Sequence, residues 1–133
     1  GRGHTDGDTF VVFPALRTMQ AGDMFPWKDA PFIDRSNGGS GKAWPETLKK
    51  MLDGVKDVDT VIGGHQAVAT MKDVATFQQF LTDLYAHATA AQKAGRTVDQ
   101  AVADTGWMAR YPGYASTRLQ AAVQAIYDEA SGK

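Results

Sequence analysis

Three short stretches set potential metal ligands beside glycine: Gly1-Arg2-Gly3-His4-Thr5-Asp6-Gly7-Asp8, Ala21-Gly22-Asp23-Met24-Phe25 and Ile62-Gly63-Gly64-His65. Each adjoins a short apolar run of strand character. Glycine lets the backbone turn sharply, so a ligand there can swing toward a point shared with the others. The candidate ligands are His4, Asp23 and His65. Imidazole and carboxylate suit zinc, and also iron or manganese, so the residue types admit a metal without naming it. A metal of this kind lowers the pKa of bound water to about 7, and two of them about 3.5–4 Å apart can polarise a carbonyl or phosphoryl oxygen together. Thr5 and Asp8 are candidates for orienting His4 or shaping its turn. No catalytic side chain is expected beyond the metal ligands.

Each candidate has a plainer reading. His4 could be a loose terminal histidine, His65 a turn residue and Asp23 a turn cap, since Gly-Asp pairs are common turn chemistry. The strand beside each, and the order His, Asp, His, favour ligands. Asp6 and Asp8 read first as turn formers. His87 lies among Ala86, Ala88, Thr89 and Ala90 in a helical stretch and reads as solvent-facing or partly packed. Ser36-Asn37-Gly38-Gly39-Ser40-Gly41-Lys42-Ala43 is not a phosphate loop. Its first glycine is replaced by Ser36, Ala43 stands where a hydroxyl should meet Mg²⁺, and no strand precedes it. Trp107, Tyr111 and Tyr114 read as packing.

The elements that must position these residues are legible in outline. Thr9–Phe13 is apolar on both alternating faces, which suits a strand covered on two sides. A second strand is expected over Arg17–Gln20, delivering Gly22-Asp23 at its end, and the short Ala15-Leu16 link makes the two hairpin neighbours. Composition from Pro26 to Trp44 predicts a long surface loop, and loops of that length are often functional. Pro45 suits a first helical position, with Leu48, Met51, Leu52 and Val55 as the stripe of a helix ending near Gly54. Val58–Ile62 is the third expected strand. Thr70 caps a helix with Val74, Phe77, Leu81, Leu84 and Ala88 on one face, stopped by Gly95. Thr97-Val98-Asp99-Gln100 has the capping-box pattern. The last helix is expected from Ser116, with Leu119, Val123, Ile126, Tyr127 and Ala130 inward.

At 133 residues the chain is about one domain, with 43% hydrophobic and 22% charged residues. A net charge of -1 makes no electrostatic case for nucleic acid or a membrane surface, and no apolar run approaches a span. The absence of cysteine removes thiolate sites and a cysteine nucleophile, and says little about compartment. The sequence opens on Gly1 with no methionine and no signal-like segment, which suits a processed product or a fragment. Three strands need more cover than the following helices supply, so the expectation is part of a layered domain.

Taken together, the three turns resemble the second half of the metallo-β-lactamase fold, a large metallohydrolase superfamily. The first looks like that family's G-x-G-H-T turn, whose histidine is the third ligand of the first metal. Ala21-Gly22-Asp23 looks like the strand-end aspartate that commonly bridges two metals. Gly63-Gly64-His65 looks like the late G-H turn supplying the last histidine to the second metal. The resemblance runs from about Gly1 to Val68 by motif, and the helices fit a C-terminal extension. The family's H-x-H-x-D-H signature is absent from this chain and would lie upstream of Gly1. Asp23 also stands where antibiotic-degrading members use cysteine, which points toward a glyoxalase- or phosphodiesterase-type branch.

What the resemblance implies is an α/β (α+β) chain, the second half of an αββα sandwich with a C-terminal helical extension. Residues 1–68 would be its strand-rich half and 69–133 helices packed on the same domain. The complete protein would be a hydrolase with two zinc ions, iron or manganese being possible substitutes, attacking an ester, thioester, amide or phosphoester of a small-molecule substrate. This chain alone would be inactive until a missing N-terminal half, or another copy, completes it. The alternative from another class is a catalytically inert fragment or interaction module that needs a partner to cover its open sheet.

Overall fold

The computed structural model describes residues 1–132. Three strands, β1 (Val11–Phe13), β2 (Thr18–Gly22) and β3 (Thr60–Gly63), form one sheet in the order β1-β2-β3. Pro14 ends β1 in a 3-10 turn, and Arg17 closes the hairpin in the left-handed region at φ 48°. That unusual backbone is braced by the Arg17 guanidinium, whose Nε and Nη2 donate to the Asp59 carboxylate at 2.5 and 2.9 Å. β1 and β2 are antiparallel, as the short link requires, whereas β2 and β3 run parallel. β2 begins after the Arg17 turn and continues to Gly22, and β3 runs through Gly63, so both extend further toward the candidate site than their periodicity suggests.

Four helices follow the expected stripes. α1 (Ala43–Gly54) buries Trp44, Pro45, Leu48 and Met51, and it starts two residues before Pro45. A proline in the first turn costs little, because its missing N–H would have had no intrahelical partner. α2 (Met71–Lys93) opens with a capping box between Thr70 and Asp73, and Phe80 joins the predicted face. The chain leaves α2 through Gly95 at φ 72°. α3 (Val98–Ala103) has the Thr97–Gln100 capping box. α4 (Leu119–Ala130) begins later than expected, because Ala115 and Thr117 are engaged with Lys28 and Asp29 across the molecule. Ala130, expected inside, is exposed on the final turn.

Two further expectations are corrected. The segment from Pro26 to Trp44 is not a surface loop: Ala30, Ile33 and Trp44 lie in the core beside Met24 and Phe25. Its apolar residues lack period, yet Trp44 meets α2 directly, its ring centroid 6.2 Å from Phe77, beside Phe25 at 5.3 Å from the same ring. β1 is also not covered on two sides, since Val11, Val12 and Phe13 are all exposed. Met19, Ala21 and Val61 point inward toward the core, while Val11, Phe13 and Ile62 stay open on the outer face around Gln20.

Trp107, Tyr111 and Tyr114 pack around Phe80, with ring centroids 4.7–5.3 Å away. His87 is half-buried, stacked on Trp107 at 5.6 Å, with Nε2 2.8 Å from the Ala101 carbonyl. It packs on α2 against Ala101 and Trp107.

Candidate functional site

The sheet topology explains how three distant residues meet. Parallel pairing puts the C-terminal ends of β2 and β3 at one edge, and antiparallel pairing brings the N-terminal end of β1 to that same edge. Asp23 follows β2, the Gly63-Gly64-His65 turn ends β3, and the His4 turn precedes β1. In sheets with parallel strands, the crevice beyond the carboxyl ends is the usual place for a ligand.

The His4 turn is clamped. Ser40 N donates to the Gly3 carbonyl at 2.9 Å, Asp34 N to the His4 carbonyl at 3.0 Å, and Asp6 N to the Asn37 carbonyl at 3.0 Å. A Cβ on Gly3 would stand 2.3 Å from Met24 Sδ, and one on Gly39 would stand 2.3 Å from the His4 carbonyl, so glycine permits both approaches. The Asn37 amide and Ser36 hydroxyl hold the Asp34 carboxyl below its usual range, keeping an anion at the base of this clamp. The imidazole of His4 packs against Phe32 and Trp44, with centroids 6.1 and 6.2 Å away. A loose terminal histidine would not be held this way.

Asp8 and Thr5 build the turn. Asp8 Oδ2 accepts from Thr5 N at 2.6 Å, Thr5 Oγ1 accepts from Gly7 N at 3.2 Å, and Asp8 Oδ1 lies 3.4 Å from His4 Nδ1. His4 therefore has one ring nitrogen against Asp8 and the other turned toward Asp23.

Asp23 stands between the two histidines. Its Oδ2 is 3.8 Å from His4 Nε2 and its Oδ1 is 3.1 Å from His65 Nε2. Gly22 at φ 49° and the shift in register before it turn the chain so that Asp23 leaves the ladder here. His65 is positioned by its own N–H donating to the Pro26 carbonyl at 3.1 Å and by Trp27, 5.1 Å from its ring. Its side chain is 56% exposed against 20% for His4, so the cleft opens on the His65 side.

Imidazole and carboxylate are donors whose chemistry suits zinc, and the separations can be compared with those of ligands on one ion. Two ligands of one tetrahedral ion, each about 2.0–2.2 Å from it, stand roughly 3.3–3.6 Å apart. The observed N···O distances of 3.1 and 3.8 Å fall on either side. Each carboxylate oxygen faces a different imidazole, however. Among the described residues no group of three or more His, Asp or Glu side chains is arranged to hold an ion. His4 and His65 each face one oxygen of Asp23, and the three side chains do not form a metal cage.

These groups line a cleft of about 320 Å³ whose remaining wall is Pro26, Trp27, Phe32 and Arg118. None of the four stands out in the sequence. The length of the 26–44 segment is the one available signal for Trp27 and Phe32. Nothing local marks Arg118.

No protein-family model matches the chain, and no curated protein sequence does so. Among solved structures, the stereoselective inverting sec-alkylsulfatase Pisa1 from Pseudomonas sp. superposes with a TM-score of 0.75 over 96% of this chain, at 16% identity. It shares the fold of part of an alkylsulfatase. A double mutant of the same sulfatase gives a TM-score of 0.72 over 98% of the chain at 14% identity. The chain spans 22–23% of the length of those proteins. The mixed α/β arrangement, a three-stranded sheet with four helices, matches a C-terminal portion of a metallo-β-lactamase-type fold.

Proposed function

We propose that this chain is the C-terminal part of a metal-dependent hydrolase, with zinc as the metal and two ions in the complete protein. The observation that carries the reading is Asp23, which turns one oxygen to His4 and the other to His65. Asp23 would be placed to serve as a ligand beside either histidine. His4, Asp23 and His65 would hold the metals, the remaining ligands coming from a segment upstream. When bound, the metals supply an activated water for attack on an ester, thioester, amide or phosphoester. The chain's own residues prepare the site. Asp8 faces His4 Nδ1 and so favours the tautomer that leaves Nε2 for a ligand. Phe32 and Trp44 hold the ring in place, and the cleft admits a small molecule.

The test is metal content and turnover in the protein that carries this chain. A transition metal is expected, and His65→Ala should lower both. Retention of metal and of turnover in that variant would defeat the reading.

A second reading is favoured by the open outer face of the sheet, where Val11, Phe13 and Ile62 are exposed beside the edge strand β1. Such a face and edge attract another chain. In this reading the chain is catalytically inert and assembles with a partner or with itself. Gel filtration separates the two: a stable monomer with stoichiometric metal contradicts the second reading.

A further inference from the structure

We infer that Glu129, on the last turn of α4, is a positioning residue for His4: through Ser40 it fixes the turn that carries the imidazole. The inference rests on the proposed function only where it gives His4 a metal to hold.

Glu129 is badly placed for its own helix. A carboxylate in the last turn opposes the helix dipole, and α4 has no basic residue there to offset it. Its partners lie far away in the chain. Oε1 accepts from the Ser40 hydroxyl at 2.5 Å, and Oε2 accepts from Lys42 N at 3.2 Å. Lys42 opens α1, where the first N–H groups have no partner within the helix. Arg35 Nη1 stands 3.8 Å from Glu129 Oε1 and donates to the Gly39 carbonyl at 3.0 Å. The Glu129 side chain is only 16% exposed, and a carboxylate so enclosed is costly without such partners.

The segment it anchors is the one that clamps His4. Ser40 is buried, and its Oγ also accepts from Ala43 N at 3.0 Å. Its own N–H turns the other way and donates to the Gly3 carbonyl at 2.9 Å, one residue before His4. Its carbonyl accepts from Trp44 N at 3.1 Å, and the Trp44 ring packs against the imidazole. Ser40 thus reaches His4 along two short routes, one through the turn and one through the ring that flanks it. Gly39, whose carbonyl Arg35 holds, approaches the His4 carbonyl too closely for a Cβ. On the opposite side, a Cβ on Gly41 would stand 2.7 Å from Ile126 Cγ1, so the segment lies directly on α4. Close packing on both sides transmits a displacement instead of absorbing it.

The experiment compares Glu129→Ala and Glu129→Gln in the metal-free 133-residue chain, reading the ring ¹⁵N signals of the histidines in the folded state. A carboxylate accepts at both oxygens and an amide at one, so Gln removes part of the anchor and keeps its volume. The His4 signals should move most in Glu129→Ala and less in Glu129→Gln, while those of His87 stay in place. Gln92→Ala is the control, because Gln92 Nε2 holds the same turn of α4 from α2 by donating to the Tyr127 carbonyl and Ser131 Oγ. It should lower Tm and leave His4 unmoved, as any loss of stability alone would. Unmoved His4 signals in the folded Glu129 variants would overturn the inference. So would an equal movement in Gln92→Ala, or loss of the folded circular dichroism spectrum in both Glu129 variants, which would make Glu129 a general stabilising residue. Zinc binding is measured separately on the protein that carries this chain, and its affinity should fall about tenfold in Glu129→Ala. Unchanged zinc affinity with moved His4 signals defeats the metal-ligand reading of His4 and leaves the positioning role standing.

Discussion

Gly63 and Gly64 are adjacent, yet substitution at each should break a different thing. A Cβ on Gly63 would stand 2.2 Å from the Phe25 carbonyl, which is backbone and cannot rotate away. The chain around residue 25 would have to retreat. It would strain the bonds from Gly64 N to the Phe25 carbonyl at 3.3 Å, His65 N to the Pro26 carbonyl at 3.1 Å, and Gln66 Nε2 to the Phe25 carbonyl at 3.2 Å. Overpacking costs about 1–3 kcal/mol and each lost hydrogen bond about 1 kcal/mol, while a less flexible unfolded chain returns about 0.4–1 kcal/mol. Gly63→Ala should therefore destabilise the fold by roughly 2–4 kcal/mol, a fall in Tm of about 6–12 °C at about 3 °C per kcal/mol.

A Cβ on Gly64 meets Asp23 Oδ1 at 1.9 Å, the end of a side chain that can swing aside. Gly64→Ala should change stability by no more than about 0.5 kcal/mol, or roughly 2 °C. It should instead separate Asp23 from His65. Thermal melts followed by circular dichroism read the first effect, and the ring ¹⁵N signals of His65 read the second. The reasoning fails if Gly63→Ala melts within 2 °C of the parent, if Gly64→Ala is the less stable of the two, or if Gly64→Ala leaves the His65 signals unmoved.

Two further outcomes follow from local features. Thr70→Ala removes the side-chain oxygen that accepts from Asp73 N and the partner of the Asp73 carboxylate, so chemical denaturation should show a loss of about 1 kcal/mol. Tyr114 is half-buried, its hydroxyl is buried with no hydrogen-bond partner among the described residues, and desolvation pushes its phenol up from 10.0 to about 12. A raised folded-state value means that the stabilising contribution is complete below pH 10 and is lost as pH rises toward 12. Tyrosinate absorbance should lag that of the denatured chain across that window. Tyr114→Phe should remove part of the lag without lowering Tm, because no hydrogen bond is given up. A Tyr114→Phe chain that loses several degrees would show that the hydroxyl has a partner after all.

Features that depend on near neighbours were legible from the sequence alone. The capping boxes at Thr70 and Thr97 are local chemistry, and α2 and α4 follow apolar stripes that one helix face must satisfy. The glycine-flanked turns named His4, Asp23 and His65, because sharp turns at strand ends need glycine whatever surrounds them. The tertiary structure decided the rest. Parallel pairing of β2 with β3 brought Asp23 and His65 to one edge, a consequence of a crossover through α1 that no local pattern encodes. Within the 26–44 segment Ala30, Ile33 and Trp44 are buried in the core, Trp44 against Phe77, where periodicity offers no warning. Arg118 reached the cleft only because Thr117 bonds to Asp29, a contact across 88 positions of chain. Spacing in a sequence reports what lies on one face of one element, and a cleft assembled from four segments is a property of their packing.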